Sequence, residues 1–186
     1  MSVLTACRHL GRLDRGKWIH SYIRYSERIK PDVLLSISLL KIYAKYGEMD
    51  LAKEVFVGMA EKSVVSWNSM IMGYGTHRHG EKALETLLEM EKGGVMPNGA
   101  TFICFLSACT HSGMVLEGWW YFKVMTRIYR IEPKAEHCGY MVDLLGRAGL
   151  MRDSEDLIKN MPMGLWTCIM GSFAFILQDP LKSGTW

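Results

Sequence analysis

The stretch VVSWNSMIMGYGTHRHGEKALETLLEMEKGGVMPN, residues 64–98, decides the fold. Two helices are predicted in it, because apolar residues recur at the spacing that lines one face of a helix. These residues are Trp67, Met70, Ile71 and Tyr74 in the first helix, and Ala83, Leu87 and Met90, flanked by Leu84 and Leu88, in the second. A turn is expected around Gly75–Gly80, and Gly93-Gly94 followed by Pro97 should end the second helix. Such a hairpin cannot bury both of its faces alone, so it needs similar units on either side.

Internal repeats extend this pattern along the chain. The segment LTACRHLGRLDRG, residues 4–16, matches LSACTHSGMVLEG, residues 106–118, at six positions offset by 102 residues. The turn positions Gly11, Gly47, Arg78, Gly113 and Gly149 divide this long period into steps of 36, 31, 35 and 36 residues. Arg78 stands where the other turns have glycine, which predicts local backbone strain. Repeats of this kind predict an all-α fold, an α-solenoid in which helix-turn-helix units stack into a right-handed superhelix.

Composition limits the class of protein. The chain has 186 residues, of which 49% are hydrophobic and 22% charged, as in an ordinary soluble globular protein. The net charge of +3 permits a nucleic-acid partner without arguing for one. Five cysteines without a CxxC pair predict reduced thiols, and Cys7 and Cys109 fall on apolar helix faces. No apolar run reaches the length of a membrane-spanning helix, so no membrane association is expected.

Patterns typical of catalysis are absent from the sequence. The segment GRLDRGKW, residues 11–18, approaches a phosphate-binding loop, but Trp18 stands where a hydroxyl is required. A zinc deaminase needs a spaced Cys-x-x-Cys in addition to His-x-Glu, and no Cys-x-x-Cys occurs. The turn histidines show no metal-ligand spacing; they are His9, His77, His79 and His111. We therefore predict a protein that is not an enzyme, with no cofactor, no metal site and no small-molecule substrate.

The phrases IYAKYG, VVSWNSMI, FLSACTHSG and MVDLLGRAG resemble the repeats of plant pentatricopeptide-repeat proteins, specifically those of the PLS subclass. The resemblance divides the chain into a partial long unit (1–32), a short unit (33–63), a standard unit (64–98), a long unit (99–134), a short unit (135–162) and a divergent remnant of a C-terminal extension (163–186). It also suggests a chain clipped at both ends, and no transit peptide is expected in the first residues.

For function, the resemblance implies sequence-specific binding of single-stranded organellar RNA, in a mitochondrion or a chloroplast. It also implies C-to-U editing, with a deaminase or editing factor acting in trans. In this family the fifth and last residues of a repeat face the base edge, and the second residue sandwiches the ring. In the standard unit these positions are Asn68, Asn98 and Val65, an amide pair and an apolar wedge that favour pyrimidines.

The matching positions of the other units are expected to discriminate less well between bases. They are Ile37, Ser63 and Leu34 in the first short unit, Ile103, Lys134 and Ala100 in the long unit, and Gly139 in the last short unit. Isoleucine cannot hydrogen-bond a base, so these units are expected to add spacing or stacking with little discrimination.

Simpler interpretations stand beside these. Asn68 could satisfy backbone groups in a first helical turn, and Asn98 could be an ordinary turn residue after Pro97. For the whole chain, the alternatives to RNA binding are a helical scaffold that binds a protein segment and a non-functional truncated fragment. The alternating unit lengths favour RNA binding.

Overall fold

The structure is a computed structural model that describes residues 13–25 and 33–159. The α-helices of these residues are α1 (Leu13–Tyr25), α2 (Val33–Tyr46), α3 (Met49–Val57), α4 (Val64–Thr76), α5 (Gly80–Lys92), α6 (Gly99–Ser112), α7 (Val115–Arg127), α8 (Ala135–Arg147) and α9 (Met151–Lys159). None of them has the length and apolar character needed to cross a membrane. The predictions for Cys7, His9, most of the first unit and residues 163–186 fall outside the described residues.

The helices form two layers. Each of the first helices α2, α4, α6 and α8 packs on the next, and together they make the inner layer. Each of the outer-layer helices α3, α5 and α7 packs on its own hairpin partner and on the first helix of the following hairpin. This repeating stack is an α-solenoid, and the prediction of an all-α solenoid is confirmed.

The core consists of the predicted apolar ladders. Trp67, Met70, Ile71 and Tyr74 of α4 are all buried. The corresponding ladder of α6, which is Phe102, Phe105, Leu106 and Cys109, has no exposed surface. The prediction that Cys109 is a core thiol is therefore confirmed, and burial raises its pKa to about 12.

The turn predicted around Gly75–Gly80 is present, but it is shorter than predicted. Helix α4 continues to Thr76, and the turn occupies only residues 77–79. Gly75 is instead a contact residue, because a Cβ placed on it would lie 2.6 Å from the Cβ of Ala108 in α6. The glycine therefore serves the close approach of two inner helices.

The turns within the hairpins share one backbone conformation. Gly47, Arg78, Gly113 and Gly149 have φ angles of 78°, 61°, 70° and 74°. Three of these four positions are glycine, which adopts a positive φ at no steric cost. The strain predicted at Arg78 is confirmed, and it costs roughly 1–2 kcal/mol for an L-residue with a side chain.

Candidate nucleic-acid interface

A groove of about 530 Å³ runs across the inner layer, between the first helices of three successive hairpins. We call it the inner groove. It is lined by Lys41, Ala44 and Lys45 of α2, by Val65, Asn68, Ser69, Met72, Gly73 and Thr76 of α4, and by Ala100 and Cys104 of α6. Because it draws on three units, it exists only when the hairpins are stacked.

Asn68 is the uncharged polar side chain of this groove that can still bind a ligand. Its Oδ1 is buried and has no hydrogen-bond partner among the described residues. The neighbouring hydroxyls are already engaged, because Ser69 donates to the Val65 carbonyl at 2.7 Å and Thr76 donates to the Met72 carbonyl at 2.8 Å. An unsatisfied buried amide costs about 1–3 kcal/mol, so a ligand that pairs with Asn68 recovers that free energy.

Two apolar side chains accompany Asn68 in the groove. Val65 is 47% exposed, and Ala100 is also exposed. Asn68, Val65 and Ala100 were all predicted as site residues, and the structure brings them together. A flat ring entering the groove would meet apolar surface from both sides of the amide.

Two lysines of the inner groove were not predicted. Lys41 and Lys45 lie one helical turn apart on α2, and none of the described residues that line the groove carries a carboxylate. Their spacing of four residues in the preceding unit was the available signal, because such residues share a helix face. A cationic edge beside a base-sized groove suits the phosphates of a nucleic acid.

Asn98 has a local structural role. It is the N-cap of α6: its Oδ1 accepts from the Thr101 N–H at 3.1 Å, and its own N–H donates to the Thr101 hydroxyl at 3.1 Å. The side-chain oxygen of Asn98 is therefore used locally, as the simpler interpretation of this residue proposed. The residue is exposed, and its amide nitrogen is the group that remains to donate to a ligand.

The other predicted positions do not line the inner groove. Leu34 is 75% exposed, whereas Ile37 and Ile103 are half-buried. Ser63 and Lys134 are N-caps, of α4 and α8 respectively. A Cβ on Gly139, in α8, would meet no atom of the described residues within 4 Å.

Cys104 does not make the groove reactive. Burial raises the pKa of its thiol to about 11, so it stays protonated near neutral pH. Nucleophilic cysteine chemistry requires the thiolate. The geometry of the inner groove therefore fits binding better than chemistry at this sulfur.

Comparisons with known proteins agree on the type of repeat. A model of the PPR repeat family matches residues 62–111, and a PPR repeat model matches residues 37–64 and 100–128. A pentatricopeptide repeat-containing protein of Arabidopsis thaliana is 46% identical over 162 residues, which are 87% of this chain and 26% of that protein. A chloroplastic one from the same plant is 42% identical over 166 residues, which are 88% of this chain and 22% of that protein. This chain thus spans about a quarter of the length of these relatives.

Solved structures with the same fold include the pentatricopeptide repeat protein PPR10. Its crystal structure with an 18-nucleotide psaJ RNA element has a TM-score of 0.73 and 20% identity, covering 88% of this chain and 25% of that one. The crystal structure of PPR10 from maize has a TM-score of 0.68 and 23% identity, covering 85% of this chain and 24% of that one. At these identities the likeness establishes the solenoid fold.

Proposed function

Because this chain is a pentatricopeptide-repeat protein, with the family's repeats at residues 37–128, we propose that its inner groove binds single-stranded RNA and reads one base at Asn68. The observation that carries the proposal is the unpartnered Asn68 amide, which lies in a groove between exposed apolar side chains. Single-stranded RNA is the nucleic acid whose bases are free to enter such a groove.

Each part of the inner groove has a role in this mechanism. Val65 and Ala100 contact the two faces of the base ring, and the Asn68 amide offers a donor and an acceptor to its edge. Lys41 and Lys45 attract the neighbouring phosphates. With isoleucine or glycine at the matching positions of the other units, selectivity is concentrated at one nucleotide, and a pyrimidine is preferred there.

The wider role rests on the resemblance and on the plant origin of the relatives. We propose that the chain belongs to the PLS subclass, with the unit boundaries given above, and takes part in C-to-U editing in a mitochondrion or a chloroplast. In this role it carries no catalytic group of its own, and a deaminase or editing factor acts in trans. One of the similar plant proteins is chloroplastic by name, which supports an organellar setting.

Binding of RNA through the inner groove is expected to weaken as salt rises. For single strands, each neutralised phosphate adds about 0.7 to the slope of log affinity against log salt. Changing Lys41→Gln should therefore lower that slope by about 0.7. The measurement is fluorescence anisotropy of a pool of short labelled single-stranded RNAs, titrated at several salt concentrations.

Lys53→Gln is the matched control, because Lys53 does not line the inner groove and should leave the slope unchanged. If the wild-type chain does not bind the pool at low salt, the RNA proposal is removed and the protein-scaffold alternative is favoured.

A further inference from the structure

A second groove, of about 270 Å³, lies between the outer-layer helices α3 and α5, and α4 forms its floor. We call it the outer groove. Its apolar lining is Met49, Phe56, Val57, Trp67, Met70 and Tyr74, and its polar lining is Asp50, Lys53, Lys62, Lys82, Glu85, Thr86 and Glu89. It shares no residue with the inner groove, so RNA binding does not account for it.

Trp67, which lines the outer groove, carries a hydrogen-bond donor that is unused in the described part of the chain. The side chain is 6% exposed, and its indole Nε1 is buried without a hydrogen-bond partner in the described part of the chain. The ring is fixed from one side by Phe56, in an edge-to-face contact with 4.7 Å between centroids. Buried N–H groups are rarely left unpaired, which indicates that an acceptor from elsewhere completes this site.

The next hairpin of the same chain shows which side chains fill the space that corresponds to the outer groove. Above the α6 floor, Tyr121 of α7 packs edge-to-face on Phe105 at 4.8 Å, and Tyr129 packs on Phe102 at 5.3 Å. The Tyr129 hydroxyl then donates to the Glu91 carboxylate of α5 at 2.6 Å. Between α5 and α7, therefore, the chain's own aromatic side chains cover the inner-layer ladder.

The outer groove lacks these covering side chains. At an offset of 35 residues, Phe105 corresponds to Met70 and Tyr121 corresponds to Thr86. The turn that follows α5 contains Gly93 and Gly94 where the turn after α7 carries Tyr129. The space between α3 and α5 thus stays open, because small residues stand there at the positions that hold tyrosines between α5 and α7.

We propose that the outer groove is a docking site for an aromatic side chain of a partner protein. A carbonyl or carboxylate oxygen of the same segment accepts the hydrogen bond from Trp67 Nε1. The rim supplies charge complementarity, because Lys53 and Lys62 lie there together with Glu85 and Glu89. No ion pair joins these charges to one another within the described residues, so a segment with one charge of each sign beside its aromatic residue finds partners for both.

The test uses the full chain labelled with ¹⁵N and the peptide acetyl-Asp-Tyr-Lys-amide, with acetyl-Asp-Ala-Lys-amide as the control ligand. The Trp67 indole N–H signal, assigned with Trp67→Phe, should shift saturably with the tyrosine peptide and not with the alanine peptide. Thr86→Tyr should abolish the shift, because it restores the side chain that Tyr121 provides one unit later. Thr86→Val keeps the groove open and should preserve the shift.

Three outcomes overturn the proposal: no saturable shift with the tyrosine peptide, an equal shift with the alanine peptide, or an undiminished shift in a folded Thr86→Tyr variant. If Thr86→Tyr does not fold, the decisive variant is Lys62→Glu, which reverses one charge of the rim. It should weaken binding of the tyrosine peptide at least threefold, and unchanged binding contradicts the docking site.

Discussion

Gly75→Ala is expected to destabilise the chain by about 1–3 kcal/mol, although alanine is the better helix former. Gly75 lies within α4, and a Cβ there would be 2.6 Å from the Cβ and 2.7 Å from the Cα of Ala108. The second of these atoms belongs to the backbone of α6, so a side-chain rotation cannot relieve the clash. Helices α4 and α6 must move apart, which opens the most extensive helix–helix interface between neighbouring units in the described part of the chain.

Urea unfolding followed by circular dichroism measures this effect, with Gly139→Ala as the matched control. A Cβ on Gly139, which lies inside α8, meets no atom within 4 Å in the part of the chain that the structure describes. That substitution should be neutral or should stabilise by up to about 1 kcal/mol, because alanine replaces glycine inside a helix. Equal stabilities of the two variants would show that α4 and α6 do not approach as closely as the structure has them.

His137→Leu is expected to lower the free energy of unfolding by about 2–4 kcal/mol in total. The side chain has no exposed surface and joins two units. Its Nδ1 accepts from the Lys134 N–H at 3.0 Å, and its Nε2–H donates to the Gly99 carbonyl at 2.9 Å. Leucine fills similar space but leaves the Lys134 N–H without a partner at the N-terminus of α8, and the link to the start of α6 is lost.

His111→Leu is the control for His137→Leu, because His111 is exposed on α6 and a surface substitution should change stability by less than about 0.5 kcal/mol. Thermal unfolding of both variants and the wild type, at one pH, decides the comparison. If His137→Leu melts together with His111→Leu, then the hydrogen bonds of His137 do not hold the units together.

The fold could be predicted because the helix period is local in sequence. Trp67, Met70, Ile71 and Tyr74 are spaced for one helix face, and that face is the one the structure buries. Gly75 was misassigned for a tertiary reason, since its role depends on Ala108, which lies 33 residues away. The hydrogen bond of His137 to Gly99 could not be predicted, because it joins units that the sequence does not place at a defined distance.

The candidate site was predictable only in part. Asn68, Val65 and Ala100 meet in the inner groove, as equivalent positions of stacked units should. Lys41 and Lys45 were missed, because the assignment by repeat position considered only three residues of each unit. The sequence offered Asn98 a local turn role after Pro97, and the structure shows that this local role is a capping hydrogen bond, so the same residue fits both a local and a functional interpretation.

The central claim is that Asn68 faces one base. The most direct test is to substitute Asn68 and measure binding to single-stranded RNAs that differ from one another at one position. The measurement compares the affinities of the wild-type chain and Asn68→Ser across the four bases at each position in turn. We expect the preference to move from pyrimidine toward adenine at one nucleotide and to stay unchanged elsewhere. An identical preference in the two proteins, with both folded, would contradict the claim.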